Sequence, residues 1–115
     1  MLGVLKTIAA IATVGTGLYS LVAPLKVQGF TGLQLPGGRG ITEVRSILGG
    51  FFIALGAAPL IFASQDMYLM LGIAYLVVGV VRAVSMFVDK SLEQSNYISL
   101  VVELVLGVIL RVWKI

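Results

Sequence analysis

Apolar residues fill four long runs of the sequence, and most polar residues lie between these runs. The runs cover approximately residues 7–25, 42–63, 67–88 and 97–112. A helix rises about 1.5 Å per residue, so an apolar run of about 20 residues can cross a hydrocarbon core of about 30 Å. The pattern predicts an all-α membrane protein: one integral membrane domain, residues 1–115, built as an antiparallel bundle of four transmembrane helices.

The first run also resembles the apolar part of a secretory signal peptide, because Lys6 precedes it. Cleavage near Ala23 is disfavoured, since Leu21 occupies a position where a small residue is required. We therefore expect this run to remain as the first transmembrane helix. One of its faces is small and weakly polar, with Thr13, Thr16, Gly17 and Ser20.

A glycine-rich loop is predicted between the first two helices. Pro24 and Lys26 are expected to end the first helix, and residues 26–41 to lie on the bilayer surface or over one end of the bundle. The GGRG sequence in this loop lacks the lysine and the Ser/Thr of a nucleotide-binding P-loop, which disfavours nucleotide binding. Thr42 is the expected N-cap of the second helix.

The composition indicates that lipid surrounds most of the protein. Of the 115 residues, 59% are hydrophobic and 11% are charged, which is far less charge than a soluble domain of this size carries. The 8 lysines and arginines are too scattered for the basic stripe of a nucleic-acid-binding protein. Membrane lipids are therefore the expected partners, and no nucleic acid is expected.

Cysteine and histidine are both absent from the chain. Their absence excludes disulfides, thiolate nucleophiles, Cys/His zinc sites and histidine general bases. We predict no metal, no cofactor and no catalytic residue. An enzyme is the less favoured class, because carboxylates, tyrosines and serines are the only candidate groups.

Small and polar residues recur at helical spacing within the later runs. In the second run, Gly50, Ala54 and Ala58 form a ladder, to which Gly49 and Gly56 add, that lets helix backbones touch, within the chain or between copies of a homo-oligomer. One face of the third run is small or polar, with Tyr68, Gly72, Tyr75, Gly79, Arg82 and Asp89. Because a polar face avoids lipid, we expect this face to point into the bundle.

Arg82 and Glu103 are predicted to meet inside the bundle. Each lies about 10 Å along its helix from the short turn that joins the third and fourth runs. Glu43 and Arg45 enter the second run at the same predicted membrane face. We predict that these four residues and Tyr75 form an intramembrane ligand-binding site. The alternative is that Arg82 and Glu103 form an ion pair that only fixes helix register.

The segment GGRGITEVRSILGGFFIALG carries a resemblance to a known family. With Glu43-x-Arg45, Arg82 and Glu103, it resembles an uncharacterised bacterial family of small four-helix membrane proteins, the domain-of-unknown-function 4345 family. The resemblance covers most of the chain in its hydropathy pattern. It implies four transmembrane helices and no particular reaction.

Three functions fit these patterns. The favoured one is a binding protein that holds a lipid or a small amphiphilic or anionic ligand in the Arg/Glu pocket. The second is an accessory or assembly subunit of a membrane complex. The third is a small multidrug-type transporter, which is disfavoured because such exporters carry their glutamate in the first helix, whereas the first run here has no acidic residue.

The orientation in the membrane is left open by the basic residues. Outside the predicted cluster, three basic residues flank each side of the four-helix arrangement, so the positive-inside rule gives a tie. We expect a bacterial cytoplasmic membrane, with both termini on one side and the cytoplasmic side only slightly favoured. Arg111, Trp113 and Lys114 are the predicted interfacial anchor.

Overall fold

A computed structural model describes residues 2–112, and every regular element in this part of the chain is a helix. The helices are α1 (Leu2–Val22), α2 (Pro24–Thr31), α3 (Gly37–Phe62), α4 (Gln65–Val88) and α5 (Gln94–Val112). The prediction of an all-α protein is thus confirmed. Trp113, Lys114 and the side chain of Arg111, which form the predicted anchor, lie outside the described residues.

Three of the described helices are long and apolar enough to span a membrane, namely α1 from Gly3 onward, α3 and α4. The sequence predicted four such helices. The apolar part of α5, Gln94–Leu110, is shorter, with a length of about 25 Å. The number of long apolar helices in the described part of the chain is therefore three rather than the predicted four.

The predicted loop over residues 26–41 is wrong for most of its length, because it contains α2 and the beginning of α3. Pro24 begins α2 as well as following α1, which is possible because the first residue of a helix needs no backbone N–H. Gly32 ends α2 in the left-handed region, at φ 80°, and its N–H donates to the carbonyl of Gln28. The non-helical connection is only residues 32–36.

The beginning of α3 also differs from the prediction. It begins at Gly37, five residues before the N-cap expected at Thr42, and no side chain caps it. Gly37 has φ 66°, a conformation that glycine adopts without steric cost. Arg39 pairs with Glu43 one turn later, which helps to stabilise this first, glycine-rich turn.

The middle of α3, Val44–Phe51, is a π-helix. A π-helix bonds each residue to the one five positions away, and such segments occur frequently at functional sites. Val44 and Gly49 are five residues apart and both are buried. The wider turn therefore brings these two residues to the same side of the helix.

The chain divides into two compact units, residues 7–63 and residues 64–112 with residues 2–6. In the first unit, α1 and α3 touch through glycines. A Cβ added to Gly56 would lie 2.6 Å from the carbonyl oxygen of Ala10, and one added to Gly17 would lie 2.6 Å from that of Gly49. Because these contacts are to backbone, only glycine fits at both positions.

In the second unit, α4 and α5 pack closely against each other. A Cβ added to Gly79 would lie 2.9 Å from Leu104, and one added to Gly107 would lie 2.7 Å from Leu76. The prediction that Gly79 belongs to a helix-packing face is confirmed. The close approach brings the polar side chains of the two helices within hydrogen-bonding distance.

Along α1, three polar side chains are buried and most large apolar side chains are exposed, which is the reverse of the pattern in a helix of a soluble protein. Polar side chains at a spacing of seven residues, Lys6, Thr13 and Ser20, are buried. Large apolar side chains, including Ile8, Ile11 and Leu18, are about half exposed. Extensive exposed apolar surface is expected where lipid surrounds the protein.

The predicted small-residue ladder contacts α1 through two of its members. Gly49 and Gly56 are buried and contact α1, whereas Gly50 and Ala54 are exposed and Ala58 is half-buried. The predicted backbone contact within the chain is therefore made by Gly49 and Gly56. The use of the ladder in a homo-oligomer stays a prediction.

Candidate functional site

Arg82 of α4 and Glu103 of α5 form a salt bridge with two parallel hydrogen bonds. Arg82 Nε donates to Glu103 Oε1 at 2.8 Å, and Arg82 Nη2 donates to Glu103 Oε2 at 2.7 Å. The Arg82 side chain is 30% exposed and the Glu103 side chain is 11% exposed. The predicted pairing is confirmed, and the pair is partly buried. This paired arrangement fixes the plane of the guanidinium.

Asn96 supplies the third acceptor for Arg82. Arg82 Nη1 donates to Asn96 Oδ1 at 2.9 Å. Asn96 and Glu103 are seven residues apart on α5, so they lie on one face of that helix. Two turns of α5 therefore hold the guanidinium from two directions.

The turn between α4 and α5 positions Asn96. Lys90 has φ 54°, and the N–H of Ser91 donates to the carbonyl of Met86 at 3.0 Å. This arrangement is a Schellman motif, which ends helices with a left-handed residue. The motif turns the chain so that Ser91 accepts from Asn96 Nδ2, at 3.0 Å through its carbonyl and at 2.8 Å through its hydroxyl.

The Ser91 hydroxyl in turn donates to Glu93 Oε1 at 2.8 Å. A chain of hydrogen bonds therefore connects the turn to the salt bridge. We call it the Arg82 network, and its members are Arg82, Glu103, Asn96, Ser91 and Glu93. Since each member restrains the next, the network holds the guanidinium in one orientation.

The Arg82 guanidinium keeps hydrogen-bonding capacity beyond this network. A guanidinium has five N–H donors. Three of them donate to Glu103 and Asn96. The other two N–H groups donate to none of the residues that the structure describes, so they are available to donate to an acceptor on a ligand.

An open groove with a volume of about 420 Å³ lies beside this guanidinium. One part of its wall is apolar, formed by Val77, Val78, Val81 and Met86. The polar part is formed by Arg82, Ser85, Asp89, Ser91 and Asn96. A groove with an apolar wall and a few polar groups at one end suits an amphiphilic molecule.

The other predicted site residues have local partners. Glu43 pairs with Arg39 within α3. Arg45 Nε donates to the carbonyl oxygen of Leu21 at 3.0 Å, and this carbonyl lies in the last turn of α1. Basic side chains commonly satisfy carbonyls at the end of a helix. Arg45 therefore has a structural role in the unit formed by residues 7–63.

Tyr75 lies half-buried in α4, two turns before Arg82. It is not part of the wall of the groove. The structure thus brings together Arg82 and Glu103 from the predicted set. The convergence of Glu43, Arg45 and Tyr75 with this pair stays a prediction.

Five polar residues of the site were not among the predicted ligand-binding residues. Asn96, Ser91 and Glu93 belong to the Arg82 network, and Ser85 and Asp89 line the groove. For Asn96, the seven-residue spacing to Glu103 was the available signal. For Ser91 there was none, because its position depends on the left-handed conformation of Lys90.

A second unpredicted feature is the burial of Lys6, which the sequence placed at the terminal flank of the first run. Lys6 is 4% exposed, and its Nζ lies 5.9 Å from the centre of the Tyr68 ring. A cation over an aromatic face is a favourable contact.

In residues 2–112, no group of three Asp or Glu residues lies close enough together to hold a metal ion.

Comparison with known proteins gives one result. No curated protein and no solved structure matches the chain. The family model described as Domain of unknown function (DUF4345) matches residues 1–114. Since this match covers almost the whole chain, the protein belongs to the DUF4345 family.

Proposed function

We propose that this protein is a small integral membrane protein that binds a lipid or a small amphiphile in the groove beside Arg82. The observation that carries the proposal is the pair of unused N–H donors on a guanidinium that the network already holds in place. These donors belong to a side chain that lines a partly apolar groove. The donors would bind the polar head of the ligand, and the valines would contact its apolar part.

The membrane location is supported by the three long apolar helices and by their exposed apolar side chains. We propose that α5 is a fourth span. The helix Gln94–Val112 has 19 residues and a length of about 28 Å, close to the thickness of a typical hydrocarbon core. With four spans, both termini lie on one side of the membrane.

The network supports binding because it fixes the guanidinium before a ligand arrives. Ordering a flexible side chain when a ligand binds costs about 0.5–1.5 kcal/mol of binding free energy, because the side chain loses conformational entropy. Here Glu103 and Asn96 already hold Arg82 in place. The ligand therefore gains the hydrogen bonds without ordering the arginine.

Proton-coupled transport through Glu103 is not favoured by this geometry. Both carboxylate oxygens of Glu103 already accept hydrogen bonds from Arg82. A glutamate that carries protons would have to break both bonds in every cycle. The arrangement is better suited to holding an arginine in place.

The proposal is tested by native mass spectrometry of protein extracted gently from membranes. The test variant is Arg82→Gln with Glu103→Gln, which keeps the net charge and replaces the ion pair by two amides. The matched control is Arg39→Gln with Glu43→Gln, the same change at the exposed pair of α3. We expect a discrete bound mass in the wild type and in the control, reduced at least tenfold in the test variant.

Folding is checked on the same samples by thermal unfolding in detergent, followed by circular dichroism. The proposal requires the test variant to lose the bound mass while it remains folded. Equal retention in all three proteins, or no bound mass in the wild type, contradicts a ligand site at Arg82. A test variant that does not fold is replaced by Arg82→Lys, which keeps the charge and loses the planar fork.

A further inference from the structure

We infer that the groove takes a zwitterionic head, with the anionic group of the head at Arg82 and its ammonium group at Asp89. This inference rests on the proposed function and specifies the class of ligand. It narrows the ligand that the sequence alone allowed, which was a lipid or a small amphiphilic or anionic molecule. The reason is the distribution of charge around the groove.

The positive charge of Arg82 is already balanced by Glu103, whose carboxylate it binds with two hydrogen bonds. Asp89 also lines the groove, and its side chain is exposed. It forms no ion pair within the described residues. When Glu103 is counted together with Arg82, the charge that remains around the groove is the negative charge of Asp89.

The position of Asp89 in α4 increases this negative character. Asp89 is the C-cap of a helix of 24 residues. The last carbonyls of a helix carry a partial negative charge, so a cation is favoured at this end and an aspartate is not. Lys90 is the next residue in the chain, but it is not part of the wall of the groove. An ammonium group from a ligand would balance both the carboxylate and the helix end.

Each simpler class of head leaves one end of the groove unmatched. A purely anionic head could accept from the two unused N–H groups of Arg82, but it would meet the carboxylate of Asp89. A purely cationic head would suit Asp89 and leave the two donors without an acceptor. A zwitterion supplies an acceptor at one end and a cation at the other.

The wall indicates a lipid rather than a small soluble zwitterion. Arg82 and Asp89 are seven residues apart on one face of α4, and the Arg82 guanidinium extends to Asn96 in the first turn of α5, toward the end of α4 where Asp89 lies. The two charged groups are therefore closer together than the positions of the two residues along the helix axis. The remaining wall includes the exposed apolar side chains of Val77, Val78 and Val81. These valines would contact the apolar part of a lipid. The ligand class is an aminophospholipid such as phosphatidylethanolamine.

The inference is tested by titrating delipidated protein in detergent with phosphatidylethanolamine or with phosphatidylglycerol carrying the same acyl chains. Bound lipid is counted by native mass spectrometry. We expect the wild type to prefer phosphatidylethanolamine. Asp89→Asn should weaken phosphatidylethanolamine binding about fivefold, as expected for the loss of one partly exposed ion pair, and should leave phosphatidylglycerol binding equal or stronger.

The matched control is Asp66→Asn, which removes one negative charge from the first turn of the same helix. Asp66 lies outside the wall of the groove and outside the Arg82 network, so this change should leave the lipid preference as it is. A drop equal to that of Asp89→Asn would indicate a general effect of charge and overturn the inference. Free glycerophosphoethanolamine serves as a competitor, and displacement of the lipid at equal concentration would overturn the lipid assignment.

The outcomes separate this inference from the proposed function. If lipid binding does not depend on Arg82 and Glu103, both proposals fail. If binding depends on them but the wild type prefers phosphatidylglycerol, or if Asp89→Asn leaves the preference unchanged, only the zwitterionic inference fails.

Discussion

The salt bridge between Arg82 and Glu103 allows a quantitative test of which residue destabilises the protein more when it is replaced. The perturbation is a double-mutant cycle with Arg82→Gln, Glu103→Gln and the protein that carries both changes. The two side chains differ in exposure, at 30% for Arg82 and 11% for Glu103. Because water can replace a lost partner only where it has access, the two single changes should destabilise the protein unequally.

Removing one partner of a fully buried pair costs about 3–5 kcal/mol. Arg82→Gln leaves the less exposed carboxylate without a charged partner, and partial access of water reduces the loss to about 2 kcal/mol. Glu103→Gln leaves a more exposed guanidinium that still donates to Asn96, so the expected loss is about 1 kcal/mol. With both changes, two neutral amides can bond to each other, and we expect about 1.5 kcal/mol.

These values imply a coupling of about 1.5 kcal/mol between the two residues, near the upper end for interhelical hydrogen bonds in membranes. The assay is reversible unfolding by sodium dodecyl sulfate in mixed micelles, followed by circular dichroism. A coupling below about 0.5 kcal/mol would show that the bridge does not act as a unit. A larger loss for Glu103→Gln than for Arg82→Gln would refute the argument from exposure.

Two further substitutions test the packing and the turn. Gly56→Ala should destabilise the protein by about 1–3 kcal/mol, because its Cβ would overlap the carbonyl of Ala10. The control, Gly15→Ala, has no neighbour within 4 Å and should be neutral or stabilising in the same unfolding assay. Equal losses of stability in the two variants would exclude the backbone contact as the cause. Lys90→Gly should stabilise the protein by about 0.5–1 kcal/mol, because glycine relieves the left-handed conformation. Lys90→Ala keeps the Cβ and serves as its control, and equal effects of the two would assign the change to the lost charge.

The pairing of Arg82 with Glu103 could be predicted from the sequence because a charged residue within an apolar helix has few possible partners. Each charge lies inside an apolar helix, and each is a similar distance from the same short turn. A charge at that depth needs a partner, and each was the natural partner of the other. The prediction required only the helical rise and the positions of the two residues.

The hydrogen bonds around the pair could not be predicted in the same way. Asn96 reaches Arg82 because α5 begins at Gln94 rather than near residue 97. Ser91 reaches Asn96 because Lys90 takes a left-handed conformation that a lysine seldom adopts. Both facts depend on the detailed path of the turn, which periodicity does not specify.

Residues 26–41 were predicted as a loop, although most of them are helical, because proline and glycine occur both where helices end and where they begin. Pro24 can end one helix and begin the next, and it does both here. Gly37 and the glycines after it are poor helix formers. Nevertheless, they form the first turn of α3, where the ion pair of Arg39 with Glu43 compensates.

The π-helical segment of α3 contains one residue more than an ordinary helix of the same length would hold. A π-helical turn accommodates an extra residue, and each residue of an ordinary helix accounts for a rotation of about 100° about the axis. Because the wide turn already takes up the extra residue, deleting one residue between Arg45 and Phe51 would restore an ordinary helix without rotating the parts on either side of it. The contacts of Arg45 and Gly56 with α1 would then both be kept. A deletion between Phe52 and Gly56 has no wide turn to absorb it, and it would rotate Arg45 by about 100° relative to Gly56.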